Sequence, residues 1–188
     1  MRLFVAIGLF LLSLGLLLVG VADRTIWAPP PSHLAAVEYD ATNPYILIPT
    51  EQLQTFAGEA TVSVSGSTEA FIATAREADI RAWIGNATYT ELSVKVSGAK
   101  AALEPNSVTG TTSYGNPAGS DLWRNTVTDK HGAEIKVSNT DGDAVLIASN
   151  GFGAAPNTIL IEWPIPYDLT FSNYLLIAGG VTLLAAFI

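Results

Sequence analysis

No cysteine occurs in this sequence, which excludes disulfide staples, thiolate metal sites, a thiol nucleophile and an anchor built on a lipid-modified cysteine. Histidine is nearly as scarce. His131 stands in the turn-like run Asp129, Lys130, His131, Gly132, and His33 follows three prolines. Neither belongs to a ligand spacing such as His-Glu-x-x-His. Gly-x-Ser-x-Gly elbows and phosphate-cradling glycine loops are missing too, so nucleophilic catalysis and nucleotide chemistry have no support and no cofactor is implied.

Positive charge is sparse. Nine Lys and Arg face seventeen Asp and Glu, and all the acids with eight of the bases fall between Asp23 and Asp168, giving that segment 8 − 17 = −9. Nucleic acid and anionic headgroups are poor partners for such a surface. Asn139, Asp141 and Asp143 alternate as calcium ligands can, yet the glycine is at 142 and no Glu follows at the required spacing, so an Asp-Gly hairpin turn is the better reading. Glu77 with Asp79, or Asp121 with Glu134, are the acid pairs nearest to a glycosidase set. Solvated surface acids are the default for both. The expectation is a protein that is not an enzyme.

Two uncharged apolar runs are present instead. Leu3 to Ala22 has only Ser13 as a hydroxylated residue and is long enough at helical rise to cross a hydrocarbon core of about 30 Å. Its length exceeds the roughly 7 to 15 residues of a signal-peptide core, so a retained anchor is expected, although Gly20 and Ala22 would suit cleavage before Asp23. Leu169 to Ile188 is a second run, with Thr170, Ser172 and Asn173 at the headgroup level. Arg2 favours a cytoplasmic amino terminus. The reading is a cell-membrane protein with two spans, its main domain extracytoplasmic, and a basic cytoplasmic tail is expected after Ile188.

Both runs are flanked by aromatic and proline residues. Trp27 precedes Pro29, Pro30 and Pro31, while Trp163, Pro164, Ile165, Pro166 and Tyr167 form the matching neck. Trp27, Trp163 and Tyr167 are expected at the membrane interface, and the prolines form a short stiff spacer.

Between the necks, Ala60, Val62 and Val64 alternate with polar neighbours, as do Leu92, Val94 and Val96, and Ile135 and Val137. These predict half-buried strands. Tyr45 to Ile48, Phe71 to Ala75, Val145 to Ala148 and Ile159 to Trp163 are continuous apolar runs that suit core strands. Arg76 to Ile84 is the one helical stretch, and the Gly-, Ser-, Thr-, Asn- and Pro-rich segment from Ala99 to Ser120 reads as a long loop. The fold class expected is a membrane protein with two transmembrane α-helices flanking one mainly antiparallel β domain, a sandwich or small barrel of about eight strands. Its parts are a first span over 1–23, a proline-rich neck over 24–35, the β domain over 36–163, a second neck over 164–168 and a second span over 169–188.

Small residues mark candidate helix-packing faces. Ala6, Ser13 and Gly20 repeat every seven residues, Gly8 and Gly15 do the same, and Ala178, Thr182 and Ala186 repeat every four. Such faces allow close backbone approach in lipid. Trp83, Trp123 and Tyr114 are candidates for a partner or ligand surface, with core packing as the alternative for the two tryptophans.

The stretch from Arg24 to Pro30 directly after a first apolar run, with Glu77 to Asn86 and Gly119 to Trp123, resembles an uncharacterised two-span membrane protein family of Gram-positive bacteria with G+C-rich genomes. The resemblance implies no activity to transfer and is in keeping with a basic cytoplasmic tail. The function expected is a non-enzymatic accessory or structural subunit of a larger cell-envelope membrane complex, for example a respiratory assembly, with the lipid bilayer and a larger integral membrane protein as partners. A membrane-anchored module for a wall glycan or secreted ligand is the alternative.

Overall fold

A computed structural model describes residues 2–39, 42–66, 69–98, 100–138, 142–151 and 153–187. The chain divides into a helical unit, residues 1–31 and 166–188, and a β unit, residues 32–165. In the helical unit, α1 runs Arg2–Thr25, and the second helix, numbered α4 in chain order, runs Thr170–Ala186. α1 is long and apolar enough to cross a membrane; α4 is a shorter apolar helix.

The β unit holds ten strands and two short helices among the described residues. In chain order they are β1 (Ser32–Glu38), β2 (Tyr45–Ile48), α2 (Thr50–Leu53), β3 (Ala60–Ser65), β4 (Ala70–Arg76) and α3 (Glu77–Ile84). Then come β5 (Tyr89–Ser97), β6 (Lys100–Val108), β7 (Asn125–Asp129), β8 (Ala133–Val137), β9 (Asp143–Ala148) and β10 (Thr158–Pro164). Four strands make one sheet in the order β1-β10-β3-β8, and six make another in the order β6-β5-β2-β9-β4-β7. Pairing is antiparallel throughout except for β2 with β5, which is parallel.

Side-chain period decides how these sheets stack. In β3, Ala60, Val62 and Val64 are buried while Thr61 and Ser63 are half-exposed, so one face meets the core and the other meets water. β2 and β9 are buried at every position because both faces of the six-stranded sheet are covered. Inward, Ile46, Ile48, Ile72, Val145 and Ile147 pack with Val62, Ile135, Ile159 and Ile161 of the four-stranded sheet. Outward, Tyr45, Leu47, Phe71, Ala73, Leu146 and Ala148 pack under Ile80 and Ile84 of α3. The domain is thus a sandwich with a third, partly helical layer.

Trp163, expected at the membrane interface, lies inside this sandwich with no exposed surface. The alternation of β10 that turns Ile159 and Ile161 inward turns Trp163 inward as well. Its indole N–H donates to the Leu53 carbonyl at 2.7 Å, which satisfies the one polar group that burial would otherwise strand. Phe56 meets it edge-on at 5.2 Å, and His33 stacks on Phe56 at 4.0 Å.

Other expectations are also corrected. The first part of Ala99 to Ser120 is not loop: Lys100–Val108 is β6, paired with β5 through a hairpin that turns at Gly98. The first neck is shorter than expected, because α1 continues to Thr25 and β1 begins at Ser32. Asn139 and Asp141 of the proposed turn lie outside the described residues.

Candidate functional site

α1 and α4 pack along faces of small residues spaced seven apart. On α1, Ser13 and Gly20 are buried and Ala6 is half-buried; on α4, Ser172 and Gly179 are buried and Ala186 is half-buried. The contact is tight at the glycines. A Cβ on Gly20 would come within 2.9 Å of the Leu176 side chain, and one on Gly179 within 2.9 Å of Leu17. Close approach lets the Ser13 hydroxyl donate to the Gly179 carbonyl at 2.8 Å.

Polar groups fix one end of the pair. Arg24 donates through Nε to Ser172 Oγ at 3.2 Å and through its second nitrogen to Asn173 Oδ1. The Tyr167 hydroxyl donates to the Asp23 carbonyl at 2.8 Å, and Asp168 accepts the Thr170 backbone N–H that opens α4. At the other end Ala6, Ile7, Phe10, Ala186 and Phe187 line an apolar cavity of 220 Å³.

The predicted packing residues fall into two groups. Ser13, Gly20 and Ala186 lie on the face that α1 and α4 share. Gly8 and Gly15 do not: a Cβ on either would touch nothing within 4 Å. Ala178 is exposed, and Thr182 donates to the Ala178 carbonyl of its own helix at 2.7 Å. Of the four-residue stripe on α4, only Ala186 meets α1. The contact runs through Ser172, Gly179 and Ala186, whose seven-residue spacing matches that of Ala6, Ser13 and Gly20. That match was the available signal for Ser172 and Gly179.

Outside the shared face the helices present large apolar side chains, among them Phe4, Leu11, Leu18, Phe171, Ile177 and Leu184, each at least 60 % exposed. Trp27 is exposed and Tyr167 partly so.

In the β unit, Trp83 and Trp123 do not form an open platform. Their rings meet edge to face at 5.5 Å, Trp83 contacts Tyr45 and Trp123 contacts Phe71, and both pack half-buried on the outward core. Trp123 Nε1 donates to the Pro117 carbonyl at 2.8 Å, and the Gly115 N–H donates to the Tyr45 hydroxyl at 2.5 Å, so the rings hold the loop that covers them. Tyr114 on that loop is exposed.

Beside this layer, Arg81 of α3 donates to Glu77 at 2.8 Å, to the Tyr89 hydroxyl at 2.8 Å and to Glu91 at 2.9 Å. Partial burial works against the guanidinium charge, but the hydrogen bonds it donates to Glu91 and Glu77 outweigh it and raise the pKa above its ordinary value. Glu77 also accepts the Thr50 backbone N–H at 3.2 Å. This arrangement ties α3 to the sheet. Of the two histidines, His33 is committed to its stack on Phe56, and His131 sits in the exposed turn after β7.

No protein-family model matches the chain, and no curated protein matches it at a significant level.

Proposed function

We propose that the chain is a two-span membrane protein serving as a non-enzymatic accessory or structural subunit of a larger cell-envelope membrane complex, its β domain extracytoplasmic and bracing that side of the assembly. One observation carries this reading. α1 and α4 use their small faces on each other and leave a broad apolar exterior of Phe, Leu and Ile side chains, a surface suited to lipid or to further spans rather than to water. Gly8 and Gly15, open on that exterior, offer a place where another helix can approach closely.

Two measurements test it. The chain lacks cysteine, so a Tyr114→Cys variant on intact cells should react with a membrane-impermeant maleimide; protection until lysis would reverse the orientation. Mild-detergent purification should then recover a defined partner. A Gly8→Leu, Gly15→Leu double variant should lose that partner while α1 and α4 still pair. Retention by this variant, with loss on changing Tyr114 or Trp123, would move recognition to the β domain.

A further inference from the structure

α3 ends at Ile84, and the chain turns at Gly85, whose φ of 58° and ψ of −122° favour glycine. Residues 86–88 then run beside 109–111. Thr111 N–H donates to the Asn86 carbonyl at 2.8 Å, Thr88 N–H to the Thr111 carbonyl at 3.0 Å, and Gly110 N–H to Thr88 Oγ1 at 3.0 Å. Gly110 is required by this approach, since a Cβ there would lie 2.3 Å from the Asn86 carbonyl oxygen. Beside the two segments lies a concavity of 420 Å³, within the roughly 300–1,000 Å³ common for small-ligand sites.

The chemistry of its wall is specific in two respects. The lining residues, Gly85–Ala87, Tyr89 and Val108–Thr111, include no Asp, Glu, Lys or Arg, although the sequence is strongly acidic overall. The charge nearest to it, Arg81 at the Tyr89 hydroxyl, is paired with Glu77 and Glu91. Second, the wall carries hydrogen-bonding groups free for a ligand: among the described residues, nothing engages the Asn86 side-chain amide or the Thr109 hydroxyl, and both residues are exposed. Tyr89 accepts from Arg81 at 2.8 Å, so its own hydroxyl hydrogen remains for another acceptor. Glu77 and Glu91 hold Arg81 in turn, which orients the ring.

We propose that this groove binds a neutral, hydroxyl-rich ligand of the saccharide class. An amide and two hydroxyls can exchange hydrogen bonds with vicinal sugar hydroxyls, and the Tyr89 ring offers an apolar surface to the C–H face of a sugar ring. The site goes beyond the subunit reading, because it gives the β domain a ligand of its own whether or not a protein partner holds the helices.

The test uses the full chain in lipid nanodiscs prepared without sugar detergents, with chitotriose, cellotriose and mannotriose as probes in saturation-transfer NMR. Transfer to at least one of them is expected. In an Asn86→Ala, Thr109→Val double variant its affinity should fall about 10-fold or more, the loss of one to two hydrogen bonds. Neither side chain holds a hydrogen bond among the described residues, so circular dichroism should be unchanged. Absence of transfer to all three probes would overturn the proposal, as would transfer that the double variant leaves intact.

Discussion

The hydroxyl of Ser13 reaches the carbonyl of Gly179 across 2.8 Å, although the two residues are 166 positions apart. Only a residue without a side chain at 179 allows this, because a Cβ there would stand 3.2 Å from the Leu17 backbone nitrogen as well as against its side chain. Gly179→Leu and Gly20→Leu should therefore separate α1 from α4, whereas Gly15→Leu should not. The cysteine-free background makes the measurement direct. An Ala6→Cys, Ala186→Cys pair, both lining one cavity, should cross-link readily alone and with Gly15→Leu, but poorly with Gly179→Leu. Equal yields in all three would show that the small face does not hold the pair.

Trp163→Ala should destabilise the β unit by about 3–5 kcal/mol, as large aromatic deletions in cores do. The Leu53 carbonyl loses its donor at the same time. Trp27→Ala, at an exposed position, should change the same denaturation midpoint by less than about 0.5 kcal/mol. Similar effects from the two would contradict the separation of core from neck.

Arg81→Met should cost roughly 1 kcal/mol, well below the loss expected for a fully buried ion pair. The guanidinium is 38 % exposed and its partners Glu77 and Glu91 are 31 % and 32 % exposed, so solvent screens the network. Urea denaturation at low and at high salt should narrow the gap between variant and parent. A gap independent of salt would mean that packing of the arginine stem, not charge, supplies the stabilisation.

Tyr39 gives a pH signature. Burial raises its pKa above 10.0, with the neighbouring Thr90 hydroxyl acting in the opposite direction. A raised folded-state value favours the neutral phenol, so the associated stability is present below the unfolded value near 10 and declines as pH rises through the folded value. Tyr39→Phe should remove that part of the alkaline decline. Denaturation midpoints between about pH 9 and 11 that fall identically in both proteins would refute it.

Strands with a clear side-chain rhythm were legible. Ala60 to Ser65 alternates and is β3; Val145 to Ala148 is continuously apolar and lies in β9, covered on both faces. The strands that were missed carry few inward apolar residues. β7 reads Asn-Thr-Val-Thr-Asp and packs only Val127 against the core, while β6 supplies Leu103 and Ala101 among exposed neighbours. Both are edge strands, and an edge strand takes its shape from the neighbour it pairs with rather than from a buried pattern of its own. β1 was hidden for a related reason: only Ala35 is fully buried, and three prolines stand before it. On the helices, the seven-residue spacing of Ala6, Ser13 and Gly20 was visible, but its counterpart on α4 was obscured by the neighbouring alanine and threonine stripe. The groove beside Tyr89 depends on Gly110 meeting residues far earlier in the chain, which no local pattern announces.

Ser32 at the start of β1 is paired with Pro164 at the end of β10. The β unit is therefore entered and left at one point of one antiparallel pair. Only if α1 and α4 were pulled away from each other would the two necks draw those strands apart like a zipper, opening the ladder one rung after another. The same pair loaded from opposite ends would have to shear every rung together. The ladder is thus weakest to separation of its two tethers, a load that the pairing of α1 with α4 keeps off β1.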